Sequence, residues 1–152
     1  MDSPWTRGKG FTLIEVLMAI AIAAILVSLA APSFVRLIAD QRAKAAATDL
    51  VTALNVARSE AIKHNLSVEL RPKLGDWTAG WVILDPEGGR NLLDENGSGV
   101  PISSAASSVS YNGSGRLVGA AAPSFTVGAS DKPQRCLSVD LSGRPHIKAS
   151  AC

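Results

Sequence analysis

Residues 8–36 read GKGFTLIEVLMAIAIAAILVSLAAPSFVR, and this run dictates how the rest of the 152-residue chain is organised. No charged residue occurs from Val16 to Val35. As a helix, a stretch of about 20 residues spans about 30 Å, enough to cross the hydrocarbon core of a bilayer. One carboxylate, Glu15, sits near the start of the apolar run. At the end of a membrane helix it costs of the order of a few kcal/mol unless it finds a partner, or it can sit in the headgroup zone. Charges return at Arg36, and the remainder of the chain reads as a soluble domain of roughly 115 residues, enough for one small core.

The residues before the run are basic: Arg7 and Lys9 bracket Gly8 ahead of Gly10. An ordinary secretory signal would carry a small-residue cleavage site after its apolar core, but here Ala30-Ala31 is followed by Pro32. The formal charge of +2 is too small to argue for nucleic acid or an acidic substrate through long-range electrostatics. Both cysteines, Cys136 and Cys152, lie near the C-terminus, and an exported chain favours their oxidation. A disulfide there closes a loop of about 15 residues, worth about 3 kcal/mol in the chain-entropy description. Two free thiols in a reducing compartment are the alternative. A structural metal site needs more ligands than these cysteines and a distant His64 or His146 can supply, so no metal or cofactor is expected.

The segment Gly10-Phe11-Thr12-Leu13-Ile14-Glu15-Val16-Leu17 closely resembles the leader junction of type IV pilins and type II secretion pseudopilins. The resemblance implies that residues 1–10 are a leader, cut between Gly10 and Phe11 by a prepilin peptidase, and that Phe11 is then N-methylated. It further implies that Glu15 is the assembly carboxylate, pairing with the N-terminal amine of a neighbouring pilin or pseudopilin subunit. Residues 11–34 would form the helix in the bacterial inner membrane, a single pass, and residues 66–152 a periplasmic domain.

Between them, residues 35–65 continue the helix. Ala43, Ala47, Leu50, Leu54, Ala57 and Ala61 recur at alternating steps of four and three, one stripe of an amphipathic helix narrow enough for a sheet to approach. Pro32 removes one backbone bond and favours a kink, Asn65 is a tolerable left-handed cap, and Asp40 with Lys44 and Glu60 with His64 can pair at i, i+4. The segment Ala57-Arg58-Ser59-Glu60-Ala61-Ile62 and the spacing Trp77-x-x-Gly80-Trp81 resemble the H-type (GspH) pseudopilins and FimT/FimU-type minor pilins. Short strands are expected at 67–71, 80–84, 107–111, 124–127, 137–141 and 144–148, with Trp77 and Trp81 as packing residues. Residues 85–108, rich in Gly and Pro, read as one long loop. Within it Asp94-Glu95-Asn96-Gly97 lacks the later ligands of a calcium loop and reads as a solvated polar turn.

No catalytic constellation is apparent. Gly113-Ser114-Gly115 is too short for a nucleophile elbow and reads as a turn, and no phosphate loop or zinc spacing occurs. The last hairpin turns at Ser142-Gly143, after which Arg144, His146 and Lys148 share one strand face, with Arg135 as a further charge. Gly143-Arg144-Pro145-His146 resembles a DNA-binding Gly-Arg-x-Arg motif of some minor pilins, with His146 in place of the second arginine. A neutral imidazole attracts phosphate less than a guanidinium, so DNA is the minor expectation beside a solvated strand face. The fold expected is α+β, type IV pilin-like: a long N-terminal helix packed through its second half on an antiparallel sheet. The function expected is that of a non-enzymatic minor subunit in type IV pilus biogenesis, or alternatively in a type II secretion pseudopilus.

Overall fold

The computed structural model describes residues 10–152; the expected leader, apart from Gly10, lies outside them. One helix, α1, runs Leu13–His64, and Pro32 lies inside it without ending it. Eight strands come after it: β1 Val68–Lys73, β2 Asp76–Ile83, β3 Leu93–Asn96, β4 Ile102–Ser103, β5 Val109–Tyr111, β6 Ser124–Val127, β7 Arg135–Val139 and β8 Pro145–Lys148. They form two antiparallel four-stranded sheets, β3-β2-β1-β5 and β4-β6-β7-β8. The chain divides into a first compact unit ending at Val35 and a second spanning Arg36–Cys152.

In the first unit, α1 is long and apolar enough to cross a membrane, and its apolar side chains from Leu13 to Leu29 are exposed. In the second unit, the helix buries Ala43, Ala46, Ala47, Leu50, Ala53, Leu54, Ala57 and Ala61. The expected stripe is therefore inside, widened by Ala46 and Ala53. Alanine at six of these eight positions lets both sheets close on the helix, and Leu50 and Leu54 fill the space between. The facing residues, among them Val68, Leu70, Ile83, Phe125, Val127, Leu137 and Val139, join the helix in a single core. The helix stops at Asn65 (φ 54°): the Asn65 N–H bonds the Ile62 carbonyl (3.3 Å) and the Leu66 N–H the Ala61 carbonyl (3.2 Å), a Schellman cap.

Three expectations need correction. Residues 85–108 are not one loop, because β3 and β4 lie within them. Strand β3, Leu-Asp-Glu-Asn, shows no apolar alternation, since it is an edge strand with only Leu93 partly inside, and β4 is two residues long. The Asp94–Asn96 segment is accordingly a strand edge, not a polar turn: Lys73 Nζ donates to Asn96 Oδ1 (2.7 Å) and pairs with Asp94. Asp40 pairs with Arg135 (2.5 Å), not Lys44, because β7 brings a guanidinium to that helix face. The Glu60–His64 contact does form, at 3.3 Å. Several boundaries also move. β2 starts at Asp76, because Leu74 (φ 53°) and Gly75 (φ 77°) make a two-residue hairpin turn, and β7 ends at Val139, where Asp140 begins the next turn.

Trp77 is core: its Nε1–H donates to the Ala106 carbonyl (2.8 Å), and its ring meets Phe125 edge-on at 4.9 Å. Tyr111 is fully buried, and its hydroxyl has no hydrogen-bond partner among the described residues. Burial pushes its pKa up to about 12, only partly opposed by the Arg58 guanidinium. Since the folded value lies above the unfolded one, its ionisation leaves stability unchanged below about pH 10 and lowers it as pH rises toward 12, because the unfolded chain loses the proton first. Tyr111 is the chain's sole tyrosine, so tyrosinate absorbance reports it directly. In detergent-solubilised full chain, the folded protein is expected to titrate near pH 12 and the denatured chain near pH 10. The loss of stability across that window should be about 2 kcal/mol larger than in Tyr111→Phe, and at neutral pH that variant should be equal or more stable, having shed an unpaired buried hydroxyl. Identical alkaline profiles for the two proteins would contradict this assignment.

Candidate functional site

At the N-terminal end, Gly10 and Phe11 precede the helix and are exposed. Thr12 caps it. The Thr12 N–H (2.8 Å) and hydroxyl (2.9 Å) both donate to Glu15 Oε2, while the Glu15 N–H reaches Thr12 Oγ1 (3.3 Å). This is a capping box, in which residues three apart satisfy each other's orphan donors at a helix start. The sequence signal, Thr-x-x-Glu before an apolar run, is present at Thr12–Glu15, where the same carboxylate also lies at the start of the apolar segment. Glu15 therefore has two local consequences: it holds the first turn of α1, and it places a carboxylate at the positive end of the helix dipole, close in sequence to the amine that a cut after Gly10 would create.

At the other end of the chain, Cys136 on β7 and Cys152 form a disulfide with Cα atoms 4.8 Å apart. The Cys152 N–H also donates to Thr126 Oγ1 (3.3 Å), so the residues beyond β8 are tied back over β6 and β7. In the β7–β8 hairpin, Cys136 faces Lys148 and Ser138 faces His146 across the ladder. His146 and Lys148 thus share a face, while Arg135 alternates to the opposite one and is engaged by Asp40. Arg135 does not add to the expected basic face.

The hairpin head also contains an acid. Asp140 accepts hydrogen bonds from the Ser142 hydroxyl (2.5 Å), the Arg144 N–H (2.9 Å) and His146 Nε2 (3.3 Å). These donors, the Ser142 hydroxyl foremost, hold its carboxyl well below the ordinary range, so it is anionic at neutral pH. Arg144 and Lys148 are exposed and form no ion pair among the described residues. The site expected from the last hairpin is therefore two solvated cations flanking a fixed anion with an imidazole on it. Sequence inspection missed Asp140, whose Asp-x-x-Gly-Arg spacing is an ordinary turn signal.

A pilin-type subunit is what these parts define: an exposed apolar helix with a capped, acidic first turn, continuing into a helix packed on antiparallel sheets. Residues 46–143 match the family described as type II transport protein GspH, and the chain belongs to that family. Residues 5–31 match the prokaryotic N-terminal methylation motif. Among solved structures, the fold is similar to two crystal forms of the type IV minor pilin FimU from Pseudomonas aeruginosa strain PAO1. One is 24% identical over 69% of this chain and 91% of FimU, with a TM-score of 0.59; the other is 22% identical over 71% and 89%, with a TM-score of 0.61. No curated protein matches the chain. Family and fold are those of structural, membrane-anchored subunits of the minor pilin or pseudopilin kind, which interact with other pilin subunits.

Proposed function

We propose that this chain is a minor subunit of a type IV pilus, processed between Gly10 and Phe11 by a prepilin peptidase, methylated on Phe11, and positioned in the growing filament by Glu15. The second unit then lies in the periplasm until assembly. The observation that carries this reading is the junction itself. The cut would fall two residues before a capped helix start, leaving Phe11 as the sole residue ahead of Thr12 and an exposed apolar helix behind it. Such a helix is stored in the bilayer and packs laterally against others through van der Waals contacts. The FimU likeness supports the pilus version at the level of fold, while the GspH match is the observation favouring a type II secretion pseudopilus as the second reading.

Intact and N-terminal mass spectrometry on sheared surface filaments, beside the membrane fraction of the same cells, tests processing and location together. A chain beginning at methylated Phe11, with its cysteines oxidised, is expected in the filaments. Recovery of that form only in the membrane fraction favours the pseudopilus reading, and persistence of the leader in both fractions overturns the proposal. Glu15→Gln separates the two uses of the carboxylate, since glutamine preserves the capping box and removes the charge. Filament incorporation is expected to fall at least about tenfold, the equivalent of about 1.4 kcal/mol, while the processed chain accumulates in the membrane. Normal incorporation would leave Glu15 with a capping role alone.

A further inference from the structure

The end of edge strand β3 carries a chemistry of its own. The chain contains three Asn-x-Ser triplets, Asn65-Leu66-Ser67, Asn96-Gly97-Ser98 and Asn112-Gly113-Ser114, the acceptor pattern of N-linked glycosylation in exported proteins. The triplet is short and common, so its structural setting decides. Asn112 is half-buried, and its Oδ1 accepts from the Ser114 N–H (3.1 Å), the Ser114 hydroxyl (2.8 Å) and the Arg116 N–H (3.0 Å), so the amide and the hydroxyl are committed to each other in a turn. Asn65 is the left-handed helix cap, and its side-chain oxygen lies against that turn, 2.5 Å from where a Cβ on Gly113 would sit. Asn96 differs. It ends the free edge of its sheet and is exposed, and its one side-chain hydrogen bond among the described residues is through Oδ1, which accepts from Lys73 Nζ (2.7 Å). Its Nδ2 and the exposed Ser98 hydroxyl are both unengaged among the described residues.

We infer that Asn96 is the acceptor of an N-linked glycan, transferred from an oligosaccharide carried on a polyprenyl diphosphate. Nδ2 attacks the anomeric carbon of the first sugar. The N–C bond forms as the bond from that carbon to the diphosphate oxygen breaks, the lipid diphosphate leaves with the electron pair, and Nδ2 gives up one proton. The step is a group transfer without oxidation or reduction. Asp94 stands two residues before Asn96, a position held by Lys63 and Ser110 in the other two triplets. Residues two apart in an extended chain share a face, so a transferase meets the Asp94 carboxylate, the Asn96 amide and the Ser98 hydroxyl in one row, and a cationic side chain of the enzyme can grip Asp94. Transfer to a chain that has just crossed the membrane precedes the pairing of β3 with β2. The folded domain then accommodates the product, since the sugar replaces a hydrogen on Nδ2 and leaves the Lys73 bond to Oδ1 in place. A glycan there shields the free edge of β3, whose unpaired main-chain groups are otherwise a template for another strand. The periplasmic location that the transfer requires rests on the pilin reading; the choice of Asn96 over Asn65 and Asn112 does not.

Peptide mass spectrometry on the full chain purified from its own cells tests the assignment. Trypsin releases residues 64–73 and 91–116 as separate peptides, and electron-transfer fragmentation of the second distinguishes Asn96 from Asn112. An added oligosaccharide mass is expected on Asn96, with Asn65 and Asn112 bare. It should disappear in Asn96→Gln and in Ser98→Ala, persist in Ser98→Thr, and fall in occupancy at least about tenfold in Asp94→Asn. An unmodified 91–116 peptide, a sugar located on a serine, or a sugar that persists in Asn96→Gln would overturn the inference, whereas undiminished occupancy in Asp94→Asn would remove only the acidic handle. The N-terminal peptide of the same sample reports leader processing separately. A sugar on Asn96 of a chain that keeps its leader would sink the processed-pilin reading and keep this one, and a bare Asn96 on a chain beginning at methylated Phe11 would do the reverse. Asn96→Gln retains the amide that Lys73 contacts, and an unchanged disulfide and Tyr111 titration establish that the variant folds.

Discussion

Gly80→Ala is expected to destabilise the second unit by about 3 kcal/mol or more, lowering its melting temperature by roughly 10–20 °C in the detergent-solubilised full chain. Gly80 has a φ of 113°, and a Cβ there would meet the Glu95 carbonyl oxygen at 2.2 Å and the Gly97 nitrogen at 2.7 Å. Both obstacles are backbone, so no rotamer change relieves them. Across the ladder Gly97 is equally confined, with its Cβ position 1.8 Å from the Thr78 carbonyl oxygen. These two glycines allow β3 to lie against β2, and a side chain at either drives the edge strand off the sheet. Trp81, paired with Glu95 in the register, would then become solvent-accessible, and its fluorescence should shift to the red. Gly99→Ala is the control. It also has a positive φ, of 74°, but open space around it, so only the conformational cost of about 1 kcal/mol applies. Equal losses for the two variants would show that steric closure between β2 and β3 is not what Gly80 provides.

Removing the disulfide by Cys136→Ser with Cys152→Ser is expected to cost about 3 kcal/mol, the chain-entropy value for a loop of this size. The separation of 16 residues encloses all of β8, a four-residue strand with three exposed side chains that pairs on one edge only. Little else holds the end of the chain, where the Cys152 N–H to Thr126 bond is a single exposed contact. Denaturant unfolding of the oxidised and variant chains measures the difference, and hydrogen exchange locates it. The β8 amides should exchange much faster in the variant, while those of β1 and β2 change little. A loss under about 1 kcal/mol with β8 still protected would mean that the hairpin turn around Asp140 holds the strand by itself. Because Arg144, His146 and Lys148 ride on this hairpin, any ligand they bind should be lost with the disulfide.

The reach of sequence reasoning differed from element to element for physical reasons. The membrane-length helix and its buried stripe were legible because burial on one face writes a period near 3.6, and Ala43 through Ala61 carry it without interruption. Strand β6 was legible because Phe125 and Val127 alternate with polar neighbours, one in and one out. Strand β3 was not, since an edge strand held by main-chain bonds and a lysine clamp needs no apolar alternation, and its Asp-Glu-Asn resembles a turn. The start of β2 was hidden for a related reason: Leu74 adopts a left-handed conformation that its side chain does nothing to announce.

By itself, the amino-acid sequence determined the properties that are local: a span too long and apolar for water, the Gly10-Phe11 pair ahead of it, a Thr12–Glu15 cap, the alanine stripe, and two cysteines near enough along the chain to close a short loop. The tertiary structure alone decided which charges meet and which stay open. Asp40 was assigned to Arg135, 95 residues away, Lys73 to Asp94 and Asn96, and His146 to Asp140, while Asp49 and Glu95 were left without an ion-pair partner among the described residues. Periodicity and chain stiffness act over a few residues and are therefore written in neighbouring letters. Ion pairing acts through space, at distances that only the packing of helix on sheet can set.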